Sequence, residues 1–149
     1  MRHRTALALS VAPVALLLAA CGADPDDSQA GFGLPTVSPD QVAGARTDLS
    51  GTMHVESNGC FTWTGDDEES ERRWVVWPAS ASHDGDRVDL GDGRSLTDGD
   101  AVVGTGLRAD ADVLPEWEHR DSYFFSFGTF CGADERGVVV FDEVDAAGS

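Results

Sequence analysis

The chain has no lysine, no isoleucine and a single asparagine, Asn58. Those three residues use AT-rich codons. Their scarcity beside abundant Gly, Ala, Asp, Val and Arg is the composition of a GC-rich bacterial genome, not a functional choice. Basic side chains are few in consequence: ten arginines face 27 acidic residues, a formal net charge of −17 over 149 residues. Charge of this sign and size is repelled by nucleic-acid phosphates and by anionic headgroups. Nucleic acid is rejected as a partner, and direct lipid binding by the domain surface with it. Solubility and self-repulsion are the plain reading of the acidity.

Catalytic and metal-binding patterns are also missing. His54, His83 and His119 are scattered and show no helical His-x-x-x-His spacing. No Gly-x-Ser-x-Gly elbow is present. The acidic runs Asp66-Asp67-Glu68-Glu69 and Asp84-Gly85-Asp86 read as solvated turns, since Val88 takes the place of a third ligand in the second run. No catalytic residue, metal or cofactor is named on this basis.

Long apolar runs are absent except at the start. Met1-Arg2-His3-Arg4 precedes an uncharged stretch over residues 5–20, densest at Val14-Ala15-Leu16-Leu17-Leu18. A basic start, a short apolar middle and small residues at its end are the parts of a secretion signal. The stretch is too short for a membrane span, which needs about 20 residues. It closes on Leu18-Ala19-Ala20-Cys21, followed by Gly22.

That pattern resembles the lipobox of bacterial lipoproteins. The resemblance implies cleavage between Ala20 and Cys21, a diacylglyceryl group on the Cys21 thiol, and an extracytoplasmic protein anchored to the cell membrane by lipid. Two acyl chains hold a protein stably where one does so only marginally, at about 0.8 kcal/mol per buried CH₂. Loss of Arg2 and Arg4 with the signal makes the remainder more acidic still. With Cys21 acylated, Cys60 and Cys131 are the cysteines left, in an oxidising compartment. A Cys60–Cys131 disulfide is expected, over free buried thiols or a metal pair.

Residues 21–47 are rich in Asp, Gly, Pro, Ser and Ala and read as a lipidated flexible tether spanning roughly 25–30 Å. Its far boundary is set by whether the part around residues 32–37 docks on the domain. Ser38-Pro39-Asp40-Gln41-Val42 has the makings of a short helical turn, with Ser38 as cap and Pro39 at the first position. Residues 48–149 form one domain. Its strands are expected at Gly51 to Glu56, Cys60 to Thr64, Arg72 to Trp77, Arg87 to Leu90, Ser95 to Thr97, Ala101 to Leu107 and Gly137 to Phe141. Ser57-Asn58-Gly59 is expected to close a hairpin with positive φ at Asn58 and Gly59. Gly104 and Gly106 within a strand predict a bulge or sharp bend. Residues 109–120 predict a short turn or loop, and Ser122-Tyr123-Phe124-Phe125-Ser126-Phe127 a loop-edge segment.

The fold class is all-β: a small antiparallel barrel-like sheet of five to seven short strands, OB-like in one version, with one disulfide and little helix. The phrases Val76-Trp77-Pro78, Leu90-Gly91-Asp92-Gly93 and Asp98-Gly99-Asp100, with the lipobox and paired cysteines, loosely resemble small β-barrel lipoproteins of GC-rich Gram-positive bacteria. Trp74-Val75-Val76-Trp77 puts a tryptophan on each face of its strand. Either the sheet is covered on both sides, by the tail or by residues 109–130, or one ring lies exposed. Trp74, Trp77, Trp117 and Tyr123 are therefore the candidate binding surface. The expected role is a non-enzymatic envelope lipoprotein binding a protein or small ligand at the cell surface. A structural or spacer role and a cell-wall-acting enzyme are the alternatives.

Overall fold

Residues 33–67, 71–91 and 93–148 are described by the computed structural model. The lipobox, Ala20 and Cys21 included, lies outside these described residues.

In chain order the elements begin with β1 (Thr36–Val37), a 3-10 turn (Pro39–Gln41), β2 (Thr47–Val55), β3 (Phe61–Gly65) and β4 (Arg73–Pro78). Three short strands follow, β5 (Ser82–Asp84), β6 (Arg87–Gly91) and β7 (Arg94–Leu96). The long β8 (Ala101–Ala109) leads through a second 3-10 turn (Ala111–Val113) to α1 (Tyr123–Phe130), α2 (Ala133–Arg136) and β9 (Val138–Ala146).

Five of these strands close a barrel in the order β4-β3-β2-β8-β9, with β9 returning to β4. Four of its contacts are antiparallel. The closing one is parallel, Trp74 to Val76 beside Val138 to Val140. Counting barrel strands along the chain, the ring runs first, second, third, fifth, fourth, the OB-type Greek-key order. The connection from third to fourth barrel strand carries the separate sheet β5-β6-β7, and that from fourth to fifth carries α1 and α2. Closure needs close backbone approach. At Gly106, beside a register shift between Thr105 and Gly106, a Cβ would lie 2.0 Å from the Val140 carbonyl oxygen. The expected bulge is at the expected glycine.

Strand alternation sorts the side chains into two cores. The inner one takes residues from all five barrel strands, among them Met53, Trp63, Val75, Val102 and Phe141, with Val88 and Leu96 added from β6 and β7. The outer one lies on β4 and β9, where Trp74, Val76, Val138 and Val140 are covered by Val37, Val42, Leu114 and Phe127. Of the two alternatives for β4, the sheet covered on both sides is the observed one. Trp74 and Trp77 are each 1% exposed. They are not part of a binding surface.

Four local readings need correction. The tether cannot extend to residue 47. Val37 and Val42 are buried, and Trp77 N donates to the Pro35 carbonyl at 2.8 Å, which adds β1 in parallel to β4. Spaced-out apolar residues among prolines and acids carry no period, so their docking was not visible as an element. The short turn within this segment is present, with Gln41 N donating to Ser38 O at 2.9 Å and Ser38 N to Gln41 Oε1 at 2.8 Å.

The hairpin after β2 has positive φ at Gly59 but not at Asn58. Gly59 N donates to Glu56 O, and Glu56 N to Cys60 O. That is a turn followed by one left-handed glycine, a longer loop than a two-residue Asn-Gly turn. Of Asp84-Gly85-Asp86, expected to be a turn throughout, Asp84 ends β5 and only Gly85 and Asp86 turn. The aromatic segment from Tyr123 is a helix, not a loop edge. Ser122 caps it, its Oγ accepting from Phe125 N at 3.2 Å.

Arg46 fastens the N-terminal segment. Its Nη1 donates to the Val42 and Gly44 carbonyls at 2.8 and 3.0 Å, its Nη2 to the Pro39 carbonyl at 2.7 Å, and its Nε to Asp142 Oδ2 at 2.8 Å. Asp142 belongs to β9, so one guanidinium ties the segment to the barrel. Hydrogen bonds to charged groups contribute about 1.5–3 kcal/mol where well formed. Arg46→Ala is expected to lower stability by about 2 kcal/mol. It is also expected to expose residues 34–46 to proteolysis before the barrel opens. Limited proteolysis read by mass spectrometry checks this, and cleavage no faster than in the parent chain contradicts the clamp.

Candidate binding surface

α1 carries Tyr123, Phe124, Phe125, Phe127 and Phe130 within eight residues and no charged side chain. At helical spacing Tyr123, Phe127 and Phe130 share one side of the axis and Phe125 lies opposite, with Ser126 and Thr129 between them on the outward side. Only Phe127 and Gly128 are buried. Phe127 meets the Trp74 ring edge-on at 5.1 Å, which seats the helix on the outer core. Gly128 is where the seat is tightest, since a Cβ there would lie 2.6 Å from the Trp117 ring. At the far end Cys131 is bonded to Cys60, Cα to Cα 5.7 Å, so the helix is tied covalently to the start of β3.

Trp117 reaches this helix from the preceding loop. Glu116 has φ of 56°, the only positive φ outside glycine among the described residues. Trp117 is half-buried and its ring lies 5.3 Å from that of Phe125. The Arg120 guanidinium sits over the Phe125 ring of this pair, 5.9 Å from its centroid. Tyr123 packs on Phe124 and Phe127 at 5.3 and 5.9 Å. Tyr123 is 41% exposed and Phe130 54%. Burial of the rest of the phenol pushes its pKa up to about 12, so it stays neutral and acts as a donor throughout the physiological range.

Trp117, half-buried against Phe125, and Tyr123, exposed beside Phe124 and Phe127, flank α1 from different sides, while Trp74 and Trp77 are withdrawn into the two cores. Phe124 and Phe125 are half-buried beside them, and Phe130 is exposed at the end of the helix. The signal for them was present as a dense run of rings, but it reads as a loop-edge segment until Ser122 is recognised as a cap.

A second feature is a groove of about 380 Å³ lined by the β6–β7 hairpin and by residues of β8 and β9. Leu90, Val103 and Val144 supply its apolar lining, and Arg94, Glu143 and Asp145 its polar lining. Arg94 is paired with Asp145, which joins the hairpin to β9. A third, polar pocket holds Asp48, Asp66, Asp67 and Arg108. Arg108 grips Asp67 with two hydrogen bonds of 2.8 and 3.0 Å, and they hold that carboxyl below its usual range. This half of the acidic loop is engaged by an arginine; Glu68 and Glu69 lie outside the described residues. Among the described residues no group of three His, Cys, Asp or Glu is placed to hold a metal ion, and no helix is long and apolar enough to cross a membrane.

His54 and Glu56 meet at the end of β2 around Arg72. Glu56 accepts from Arg72 at 2.9 Å and from the buried Thr62 hydroxyl at 2.8 Å. The Arg72 bond chiefly lowers its pKa, with help from Thr62 and against burial. His54 is also lowered, first by burial and then by the Arg72 charge, against Asp98 and Glu56. Both groups bind fewer protons folded than unfolded, so both make stability rise with pH. The His54 contribution is complete above its ordinary value of 6.5 and is lost as pH falls below it. That of Glu56 is complete above 4.5 and is lost in stronger acid. Urea midpoints across this range are expected to fall in two stages, and Glu56→Gln to shrink the acid stage while deepening the His54 stage, since it removes a charge that favours the imidazolium. An unchanged acid limb in that variant contradicts the assignment.

Compared with known proteins, the chain matches no family model, no curated protein and no solved structure.

Proposed function

We propose that the protein is an envelope lipoprotein, anchored to the cell membrane through acyl chains on Cys21, whose extracytoplasmic β domain is non-enzymatic and binds a small ligand at the cell surface. The lipobox resemblance supports the anchor. The groove supports the ligand: a concave site of about 380 Å³, within the range of about 300–1,000 Å³ usual for small-molecule sites. Its apolar residues Leu90, Val103 and Val144 suit an apolar body. Arg94 and Glu143 suit a polar end of either sign.

Metabolic labelling with a fatty acid, compared with Cys21→Ala, tests the anchor; equal labelling removes it. Native mass spectrometry of the chain released from its own membranes tests the binding role. Val103 is 40% exposed and belongs to neither core cluster, so Val103→Trp narrows the groove while leaving both cores in place. The parent chain is expected to retain a bound small molecule that Val103→Trp loses. Recovery of both without one overturns the groove as a binding site.

A further inference from the structure

We infer that the groove takes an organic amine, a short apolar body ending in a protonated nitrogen, an inference that rests on the groove reading above. That reading leaves the polar end open to either sign. The pairing of charges within the groove decides between them. Arg94, the one basic residue of the lining, is taken by Asp145. Asp142 is taken by Arg46, whose Nε and Nη2 reach its two oxygens at 2.8 and 3.3 Å. Glu143 lines the same groove and has no hydrogen bond or ion pair with any described residue. The free charge of the site is therefore negative.

The strand register shows where that charge sits. In the β8–β9 ladder Val103 lies opposite Asp145, and Thr105 opposite Glu143. Residues two apart on a strand share a face, and so do residues opposed across a ladder. Val103, Thr105, Glu143 and Asp145 thus share one face, the one on which Arg94 reaches Asp145. Glu143 and Thr105 lie about 7 Å along the strands from the Arg94–Asp145 pair. An apolar body resting on Val103 has its end beside them.

The kind of cation follows from the lining. None of the described residues that line the groove is aromatic. A quaternary ammonium is recognised through ring faces and offers no N–H, so it finds no partner here. A protonated primary or secondary amine donates instead. The Glu143 carboxylate accepts one N–H. The Thr105 hydroxyl, its β-carbon about 5 Å away across the ladder, accepts a second. The field of the whole chain, at −17, draws a cation in and holds an anion off.

The test uses the full lipidated chain in phosphatidylcholine nanodiscs, with its valine methyls isotope-labelled for NMR. Hexylamine, hexanol and hexanoate are the probes, one body with three head groups. Empty discs measure what each loses to the lipid. The Val103 and Val144 methyls report occupancy of the groove itself. Physiological salt screens the distant acids beyond about 8 Å, so the local contact is what remains. Hexylamine is expected to shift both methyls and to saturate at a concentration at least about threefold below hexanol, with hexanoate weakest. Glu143→Gln keeps the shape of the side chain and removes its charge at an exposed position. It is expected to bring hexylamine to the level of hexanol and to leave hexanol unchanged.

Hexanol or hexanoate binding as tightly as hexylamine overturns the amine and leaves the groove standing as a site. Hexylamine binding Glu143→Gln as tightly as the parent chain does the same. Val103 and Val144 methyls that none of the three probes moves overturn the groove reading itself, and the amine with it.

Discussion

Replacing Cys60 and Cys131 together with alanine is expected to lower the thermal midpoint by about 15 °C. The two residues are 71 apart in sequence. For a loop of that length the chain-entropy model assigns the bridge about 4 kcal/mol, because the reduced unfolded chain has that much more freedom to lose. In a domain of this size each kcal/mol moves the midpoint by roughly 4 °C. Reducing agent on the parent chain is expected to produce the same shift.

The loss is also expected to be uneven. Cys131 follows α1 directly, and the bridge secures that end of the helix to the start of β3. The rest of the seat is Phe127 against Trp74 and the close pass of Gly128 by Trp117. Hydrogen exchange at the end of α1 should rise before exchange in β9, which is held on both sides by β8 and β4. A double alanine chain that melts within a few degrees of the parent, with α1 equally protected, contradicts this account of the bridge.

The second large effect is expected at a residue with no side chain. Gly106→Ala places a methyl group 2.0 Å from the Val140 carbonyl oxygen and 3.1 Å from the Leu49 side chain. The first of these neighbours is backbone, paired across the β8–β9 ladder, so it cannot rotate away. Either that pairing or the bulge at Thr105/Gly106 must give. A cost of at least about 3 kcal/mol is expected, the upper part of the range for forced overpacking. Gly59→Ala is the control. It too stands at a special position, with φ of +85°, but nothing lies within 4 Å of the added carbon. Its cost is left-handed strain alone, about 1–2 kcal/mol. Urea unfolding of the two variants separates crowding from strain. If Gly106→Ala is no worse than Gly59→Ala, barrel closure does not depend on that close approach.

These two positions illustrate how much of the fold is readable before folding is known. Gly104 and Gly106 interrupt a strand pattern, and a bulge there follows from the residues themselves. The alternation in Arg87-Val88-Asp89-Leu90 finds Val88 buried between exposed neighbours. Trp74 and Trp77 fall on opposite faces, as a period of two requires. α1 was not readable in the same way. Phenylalanine and tyrosine favour strands on a half-buried surface, and that preference yields to context. Here the context is the Ser122 cap, a tryptophan from the loop before it and a bridge from a strand 71 residues away. Docking of the N-terminal segment was left open for another reason: Val37 and Val42 are isolated apolar residues, and burial of isolated residues leaves no period to detect.

By itself the chain determined which residues could be strands, where many of the turns fall and which side chains share a face. All of these are set by the pleat, the turn geometry and the composition, which act over a few residues. Only the tertiary structure decided that both faces of β4 are covered, that Trp74 and Trp77 are interior while Trp117 and Tyr123 remain at the surface, and that the barrel closes through a parallel pair. Those outcomes depend on segments far apart in sequence meeting on one sheet, and no local pattern carries that distance.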